Sequence, residues 1–160
     1  MATISLRCLE VAKTIHGNSP WELGLPEAAS QTWKKGAILT LNANGYVVEA
    51  GADPARILGV ACADGQNLAS NGLKDCLVWI ADENTVFVGN LSGSSVTELV
   101  DRGRGYGVVK TGNNWHVDKT DLTNRRVVVV DLDPRDNVGD TNGRVHFMFF
   151  SQFRAMSYTS

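Results

Sequence analysis

Residues 33–63 read WKKGAILTLNANGYVVEAGADPARILGVACA, and the fold prediction starts from this segment. Asn44-Gly45 lies between two apolar runs. This dipeptide favours a two-residue type I′ turn, because both central residues of that turn need positive φ. A second turn at residues 53–56 leads into the apolar run 57–61. The segment therefore predicts a tight hairpin followed by a third strand.

The same turn predicts the register of the hairpin. It places Leu39 opposite Ala50 and Leu41 opposite Val48, so that the apolar side chains share one face of the strand pair. A slip by one residue would move this apolar set to the other face. Turn type and apolar pattern therefore favour the same register.

Beyond residue 63 the chain alternates short apolar runs with turns, which is typical of an all-β domain. We predict a second hairpin, a third hairpin and a closing pair of strands separated by a polar loop. Their ranges are 76–81 with 85–88, 107–110 with 115–118, and 126–130 with 145–150, with the polar loop at 133–143. A capping box that begins at Ser95 predicts one short helix at residues 96–102. The expected fold is a small barrel or sandwich of about nine short strands.

Residues 1–32 lack strong alternation and are interrupted by glycine and proline, so we predict an extended N-terminal arm. Residues 33–160 then form the β-barrel or β-sandwich domain. Two interpretations of the arm stay open. Either it packs on its own domain, or it reaches a neighbouring subunit with Trp21 as the anchor.

Two parts of the chain resemble the head decoration, or cement, proteins of tailed-phage capsids. The first part is the order of an aromatic-x-x-Gly start, an apolar hairpin and an ILGVA strand. The second part is the order of later strand and turn residues. The similar segments are WKKG at 33–36, ILGVA at 57–61, GYGVV at 105–109, WHVD at 115–118, VGD at 138–140 and GRVHF at 143–147. The resemblance lies in the order of these segments rather than in any one of them.

This resemblance implies a structural protein and not an enzyme. Proteins of this family bind where subunits of the major capsid protein meet, and they stabilise the shell from outside. The resemblance therefore predicts two partners, the major capsid protein and further copies of this chain in a homotrimer. It also predicts synthesis in the host cytoplasm and a final position on the virion exterior. Many weak contacts repeated by symmetry would suffice for such binding.

The charge of the chain argues against two classes of partner. The formal net charge is −2 at pH 7, and the isoelectric point is near 5.9. Such a chain has no long-range attraction to nucleic acid or to an anionic membrane. No apolar run approaches the ~20 residues of a membrane-spanning helix, and the first residues lack the pattern of a signal peptide. We therefore expect no nucleic-acid partner and no membrane partner.

No residue pattern predicts a metal site, a cofactor or a catalytic centre. His16, His116 and His146 lie far apart, without the spacing of zinc ligands. The acidic run 131–140 departs from the EF-hand pattern, so we interpret it as a solvated hairpin loop, while a looser site of oxygen ligands stays open. The glycine-rich run 102–107 lacks the strand-then-helix context of a phosphate-binding loop and is interpreted as a flexible connection.

The three cysteines, Cys8, Cys62 and Cys76, are an odd number at wide spacing. The last two lie inside apolar runs, where a free thiol behaves as a small apolar side chain. We therefore expect unbridged thiols in a protein made in a reducing compartment.

The candidate interface residues are aromatic and arginine side chains outside the period-two core pattern, because such residues dominate binding at interfaces. They are Trp21, Trp33, Phe150, Phe153, Arg154 and Tyr158. A carbohydrate-binding β-module is the alternative function, with Trp21, Trp33 or Trp115 as the stacking platform. A tail or head-completion component of the virion is a further alternative, because it would share all of these features.

Overall fold

The computed structural model describes residues 1–156. The protein is a nearly all-β sandwich of two antiparallel sheets with six and five strands, and it is not a closed barrel. This confirms the predicted all-β class. The strands are β1 (Glu10–Thr14), β2 (Glu22–Pro26), β3 (Ile38–Leu41), β4 (Val47–Glu49), β5 (Gly59–Ala61), β6 (Asp75–Ile80), β7 (Thr85–Asn90), β8 (Gly105–Thr111), β9 (Asn114–Asp118), β10 (Val127–Leu132) and β11 (Arg144–Phe149). Two 3-10 turns lie at Leu99–Asp101 and Ser151–Phe153, and no helix in the described part of the chain is long and apolar enough to cross a membrane.

The strand order places the N-terminal segment at one edge of each sheet. The six-stranded sheet has the order β1-β7-β11-β10-β8-β9, and the five-stranded sheet has the order β2-β6-β5-β3-β4. All nine predicted strands are present as β3 to β11. The two further strands, β1 and β2, come from residues 1–32 and pair with β7 and β6. Pro26 is tolerated in β2 because an edge strand needs fewer backbone donors.

The core lies between the two sheets. On the six-stranded sheet, the rings of Phe87, Phe147 and Phe149 pack with centroids 5.4 to 6.0 Å apart. On β6, every second side chain belongs to the core, while Leu77 on the other face is 53% exposed. Leu9, just before β1, is 1% exposed, so the N-terminal segment also contributes to this core.

The first hairpin is present, but its predicted turn and register are wrong. Leu41 pairs with Val47, one residue away from the predicted partner. The Asn42 N–H donates to Tyr46 O at 2.9 Å, which leaves a loop of three residues, 43–45. Gly45 is the only residue of the turn dipeptide with positive φ, at 83°. The Asn42 side chain accepts the backbone N–H of Tyr46 at 3.0 Å. This local hydrogen bond favours the wider loop, in which one glycine at positive φ is enough.

The predicted second hairpin does not form, because its two strands belong to different sheets. β6 lies in the five-stranded sheet and β7 in the six-stranded sheet. Between them, Asp82 Oδ1 accepts the backbone N–H groups of Asn84 at 2.9 Å and Thr85 at 2.7 Å. These hydrogen bonds turn the chain from one sheet into the other. Both strands still bury an apolar face, so the local pattern fits a hairpin and a crossing equally well.

The predicted helix at residues 96–102 is reduced to the 3-10 turn Leu99–Asp101. The Thr97 N–H donates to Asp140 O at 3.2 Å, and the Gly139 N–H donates to Thr97 O at 2.8 Å. The loop between β10 and β11 therefore occupies backbone groups that a helix would need.

The three cysteines are unbridged. Burial raises the pKa of Cys62 to about 11 and that of Cys76 to about 12. Because the thiolate is the reactive form, both thiols should react slowly in the folded protein.

Candidate functional site

Strand directions define two ends of the sandwich. At one end, Thr14 at the end of β1 pairs with Thr85 at the start of β7. We call this the cleft end, because it holds the cavity described below. At the other end, Asn90 at the end of β7 pairs with Arg144 at the start of β11. We call this the apolar end, because it carries the exposed apolar side chains described below. With a rise of ~3.3 Å per residue, the six residues of β7 separate the two ends by about 20 Å.

An open cavity of about 580 Å³, here called the cleft, lies at the cleft end. It is lined by residues from three segments, 16–21, 82–84 and 151–156. The first two segments are the places where the chain crosses between the sheets. The third follows the last strand of the six-stranded sheet.

One asparagine ties the two crossings together. Ile15 N–H donates to Asn84 O at 2.8 Å, and His16 N–H donates to Asn84 Oδ1 at 3.1 Å. Asn84 Nδ2 donates in turn to Asn18 Oδ1 at 2.9 Å. Two walls of the cleft are therefore joined by hydrogen bonds.

The third wall, residues 151–156, is held from two sides. Ile57 N–H donates to Phe153 O at 2.6 Å, and Ala155 N–H donates to Ile57 O at 2.8 Å. The Arg126 guanidinium lies 4.1 Å from the centroid of the Phe153 ring, in a cation–π contact. The position of this wall is thus fixed by both backbone and side-chain contacts.

The cleft presents an aromatic face and charges of both signs. Trp21 is 44% exposed, and Met156 is 36% exposed. Asp82 and Glu83 contribute negative charges to the lining, and Arg154 contributes a positive one. Arg154 Nε is shielded from solvent and has no hydrogen-bond partner among residues 1–156. The lining can therefore stack on a flat or apolar face and can both donate and accept hydrogen bonds.

The opposite end carries a group of exposed apolar side chains, here called the apolar patch. Its members are Met1, Val96, Leu99, Val100 and Val138. Their exposed fractions range from 37% for Val96 to 101% for Met1. They come from three segments, the N-terminus, the connection between β7 and β8, and the loop between β10 and β11.

A buried carboxylate joins these three segments. Asp140, 1% exposed, accepts the backbone N–H of Ala2 at 2.8 Å and that of Asn137 at 2.9 Å. Its own carbonyl accepts the Thr97 N–H at 3.2 Å. The hydrogen bonds from Ala2 and Asn137 hold the pKa of Asp140 below its ordinary value.

A second buried carboxylate supports the 3-10 turn of the apolar patch. Asp101, with no exposed surface, accepts the Tyr106 hydroxyl at 2.6 Å and the Glu98 N–H at 2.7 Å. Lys119 Nζ lies 2.9 Å from Asp101 Oδ1 and donates to Val96 O at 2.9 Å. Burial, followed by the hydrogen bond to Asp101, raises the pKa of Tyr106. The turn is therefore anchored by charged and polar groups beneath it.

The structure brings two of the predicted interface residues together. Trp21 and Arg154 both line the cleft, although they lie near opposite ends of the sequence. Phe150 and Phe153 are partly buried beside this region. Tyr158 lies outside the described residues.

Two tryptophans proposed as surface platforms lie in the core instead. Trp33 is 2% exposed, and its Nε1 donates to Ala63 O at 3.0 Å. Trp115 is also 2% exposed, and its Nε1 donates to Glu49 Oε1 at 3.1 Å. Burial of these apolar rings leaves no indole N–H unpaired, because each one finds an acceptor inside the fold. Neither ring is available as a platform in the folded chain.

The sequence interpretation missed the apolar patch. Val96, Leu99 and Val100 have the i, i+3, i+4 spacing of an amphipathic helix, whose apolar face would pack on the core. Because only one 3-10 turn forms, these side chains remain exposed. The available signal was Val138, an apolar residue inside an otherwise polar loop.

The acidic run 131–140 is not the solvated loop that the sequence predicted. Asp133, 2% exposed, forms an ion pair with Arg135, and Asp136 accepts Arg144 Nε at 2.9 Å. These contacts with arginine hold the pKa of both carboxyls below their ordinary values. Within residues 1–156, no group of three or more His, Cys, Asp or Glu side chains could hold a metal ion.

The three histidines lie in separate places. His16 lines the cleft. His116 is 1% exposed on β9, and neither ring nitrogen has a partner among residues 1–156. His146 lies on β11 with Nε2 3.5 Å from Asp133 Oδ2. Burial lowers the pKa of both His116 and His146.

No family model matches this chain, and comparison with the curated proteins gives no match.

Proposed function

We propose that this protein is a structural decoration protein of a phage capsid. In this proposal it binds the major capsid protein where neighbouring subunits meet, associates into homotrimers, acts on the virion exterior and catalyses no reaction. The observation that carries the proposal is the apolar patch. The order of strand and turn segments that resembles the decoration proteins supports the same function.

An apolar patch is stabilised when a partner covers it, because apolar surface leaves water. Leu99 is 58% exposed and Val100 is 61% exposed, so a partner could remove much of each side chain from solvent. Full burial of such a side chain contributes about 1.5–3 kcal/mol. Several such side chains on each copy, repeated around a trimer, would give firm attachment without any strong single contact.

The patch is also held in one conformation, which favours docking onto another protein. Asp140 joins its three segments, and Asp101 with Lys119 supports the turn beneath Leu99 and Val100. A surface that is already ordered loses less conformational entropy when it binds. This rigidity suits a protein whose role is to brace a shell.

The first test is a pair of matched substitutions, Leu99→Asp in the patch and Leu73→Asp outside it. The two leucines are 58% and 59% exposed, so each change places a charge on an equally exposed surface. Wild-type protein and Leu73→Asp should form trimers at micromolar concentration and bind shells assembled from the major capsid protein. Leu99→Asp should weaken shell binding at least about tenfold, because docking would desolvate the new carboxylate.

Sedimentation measures the oligomeric state, co-sedimentation measures shell binding, and thermal unfolding confirms that both variants fold. The proposal fails if wild-type protein is monomeric and does not bind shells. An equal loss of shell binding in both variants would contradict a specific role of the apolar patch in the interface. Binding to portal or tail particles instead of shells would favour the tail or head-completion alternative.

A further inference from the structure

We infer that the cleft is a carbohydrate-binding site. Trp21 would stack on the face of a sugar ring, and Arg154 with the amide and carboxylate side chains of the lining would bind the hydroxyl groups. This second binding surface lies about 20 Å from the apolar patch, at the other end of the sandwich. It adds an activity to the proposed structural role.

Trp21 differs from the other three tryptophans. The indole N–H groups of Trp33, Trp79 and Trp115 each donate to an acceptor within the fold. The N–H of Trp21 makes no such hydrogen bond to the described part of the chain, and Trp21 is 44% exposed at the cleft. An indole with one apolar face and one unused donor suits a ligand with C–H groups on its face and hydroxyls at its edge.

The charges of the lining select among ligand classes. Asp82 and Glu83 would repel an anionic ligand such as a phosphate or an acidic peptide, and Arg154 would repel a cationic one. An apolar peptide would leave the polar side chains of the lining without partners. A neutral polyhydroxylated ligand can satisfy donors and acceptors of both kinds. The lining therefore favours a neutral sugar.

The cleft has the volume of a small-molecule binding site, and its walls are held in one conformation. Its volume of about 580 Å³ lies within the ~300–1,000 Å³ of typical small-molecule sites. Asn84 fixes two walls, and the hydrogen bonds of Ile57 fix the third. Because these walls are already held, a sugar would lose less binding free energy to ordering of the site.

The outward position of the cleft rests on the proposed function, although sugar binding itself does not. If the apolar end faces the shell, the cleft end faces away from it. A decorated capsid would then display the sugar sites on its outer surface.

The test is calorimetric titration of the full-length protein with neutral oligosaccharides of glucose, galactose, mannose and N-acetylglucosamine. At least one series should bind the wild-type protein. Trp21→Ala should weaken that binding at least about tenfold, while Trp21→Phe, which keeps an aromatic face, should retain part of it. The matched control is Leu77→Ala, because Leu77 is 53% exposed on β6 away from the cleft lining, and it should leave binding unchanged.

The inference is overturned if no oligosaccharide binds the wild-type protein at up to about 10 mM. Equal affinity of Trp21→Ala and wild-type protein would also overturn it. The same titration is repeated with acidic and with apolar peptides. Tighter binding of a peptide than of any sugar would overturn the inference and assign the cleft to a protein partner. Leu99→Asp should keep sugar binding intact, so failure of the capsid proposal and failure of this inference give different results.

Discussion

The two ends of the sandwich have opposite surface chemistry. At the cleft end, polar side chains and the Trp21 ring are exposed, and the side chains of Asn84 and Asp82 hold the backbone. At the apolar end, Asp101 and Asp140 are buried and the five side chains of the apolar patch are exposed. Buried carboxylates thus lie beneath exposed apolar side chains there. A group of exposed apolar side chains is typical of a surface that another molecule covers.

The position of the apolar patch depends on buried carboxylates whose hydrogen bonds are satisfied. A buried charge is stable only when several partners replace the water it has lost. Asp101 has a hydroxyl, a backbone N–H and an ammonium group as partners, and Asp140 has two backbone N–H groups. The apolar end should therefore be sensitive to the loss of one buried carboxylate.

The largest expected effect follows from Asp101→Ala. The change should lower the free energy of unfolding by about 3 kcal/mol, because Lys119 and Tyr106 lose a buried partner. The control is Asp131→Ala, whose carboxylate is 45% exposed and pairs with Arg102. It should cost less than about 1 kcal/mol. Equilibrium urea unfolding measures both values, and equal losses would contradict the support assigned to Asp101.

A smaller effect is expected from pH. Burial lowers the pKa of His116 and His146 below 6.5, so below that pH the unfolded chain binds protons that the folded protein does not. The free energy of unfolding should therefore fall as the pH drops from about 7.5 to about 5.5, and both histidines should contribute to the fall. His116→Leu should reduce the fall and leave the share of His146, which lies beside Asp133 near the apolar end.

Urea unfolding at three pH values across this range measures the effect. A free energy of unfolding that does not change with pH would contradict the burial of both histidines. An undiminished fall in His116→Leu would assign the whole response to other groups.

Nine strands were predictable because each is a short apolar or alternating run bounded by turn residues. The order of the strands within each sheet was harder to predict from the sequence. The link from β6 to β7 fits a hairpin, yet β7 pairs with β1 and β11, and no local pattern encodes that choice. β1 and β2 were missed because short edge strands need little alternation of their own.

Local sequence patterns also did not predict how the candidate sites are assembled. Trp21 and Arg154 stand out by residue type, but the cleft forms only because the fold places the two ends of the sequence side by side. The apolar patch depends on contacts such as Ala2 with Asp140, which lie 138 positions apart. Trp33 and Trp115 show that residue type alone does not distinguish a core tryptophan from an exposed one.

Amide hydrogen exchange of the full-length protein, free and bound to capsid shells, distinguishes the two ends. If the apolar end faces the shell, amides in residues 96–101 and 137–141 should exchange more slowly in the bound state, because a partner excludes water from them. Amides in residues 15–18 and 82–84 at the cleft should exchange at the same rate in both states. Slowed exchange at the cleft with none at the apolar end, or no change at either end, would contradict docking through the apolar patch.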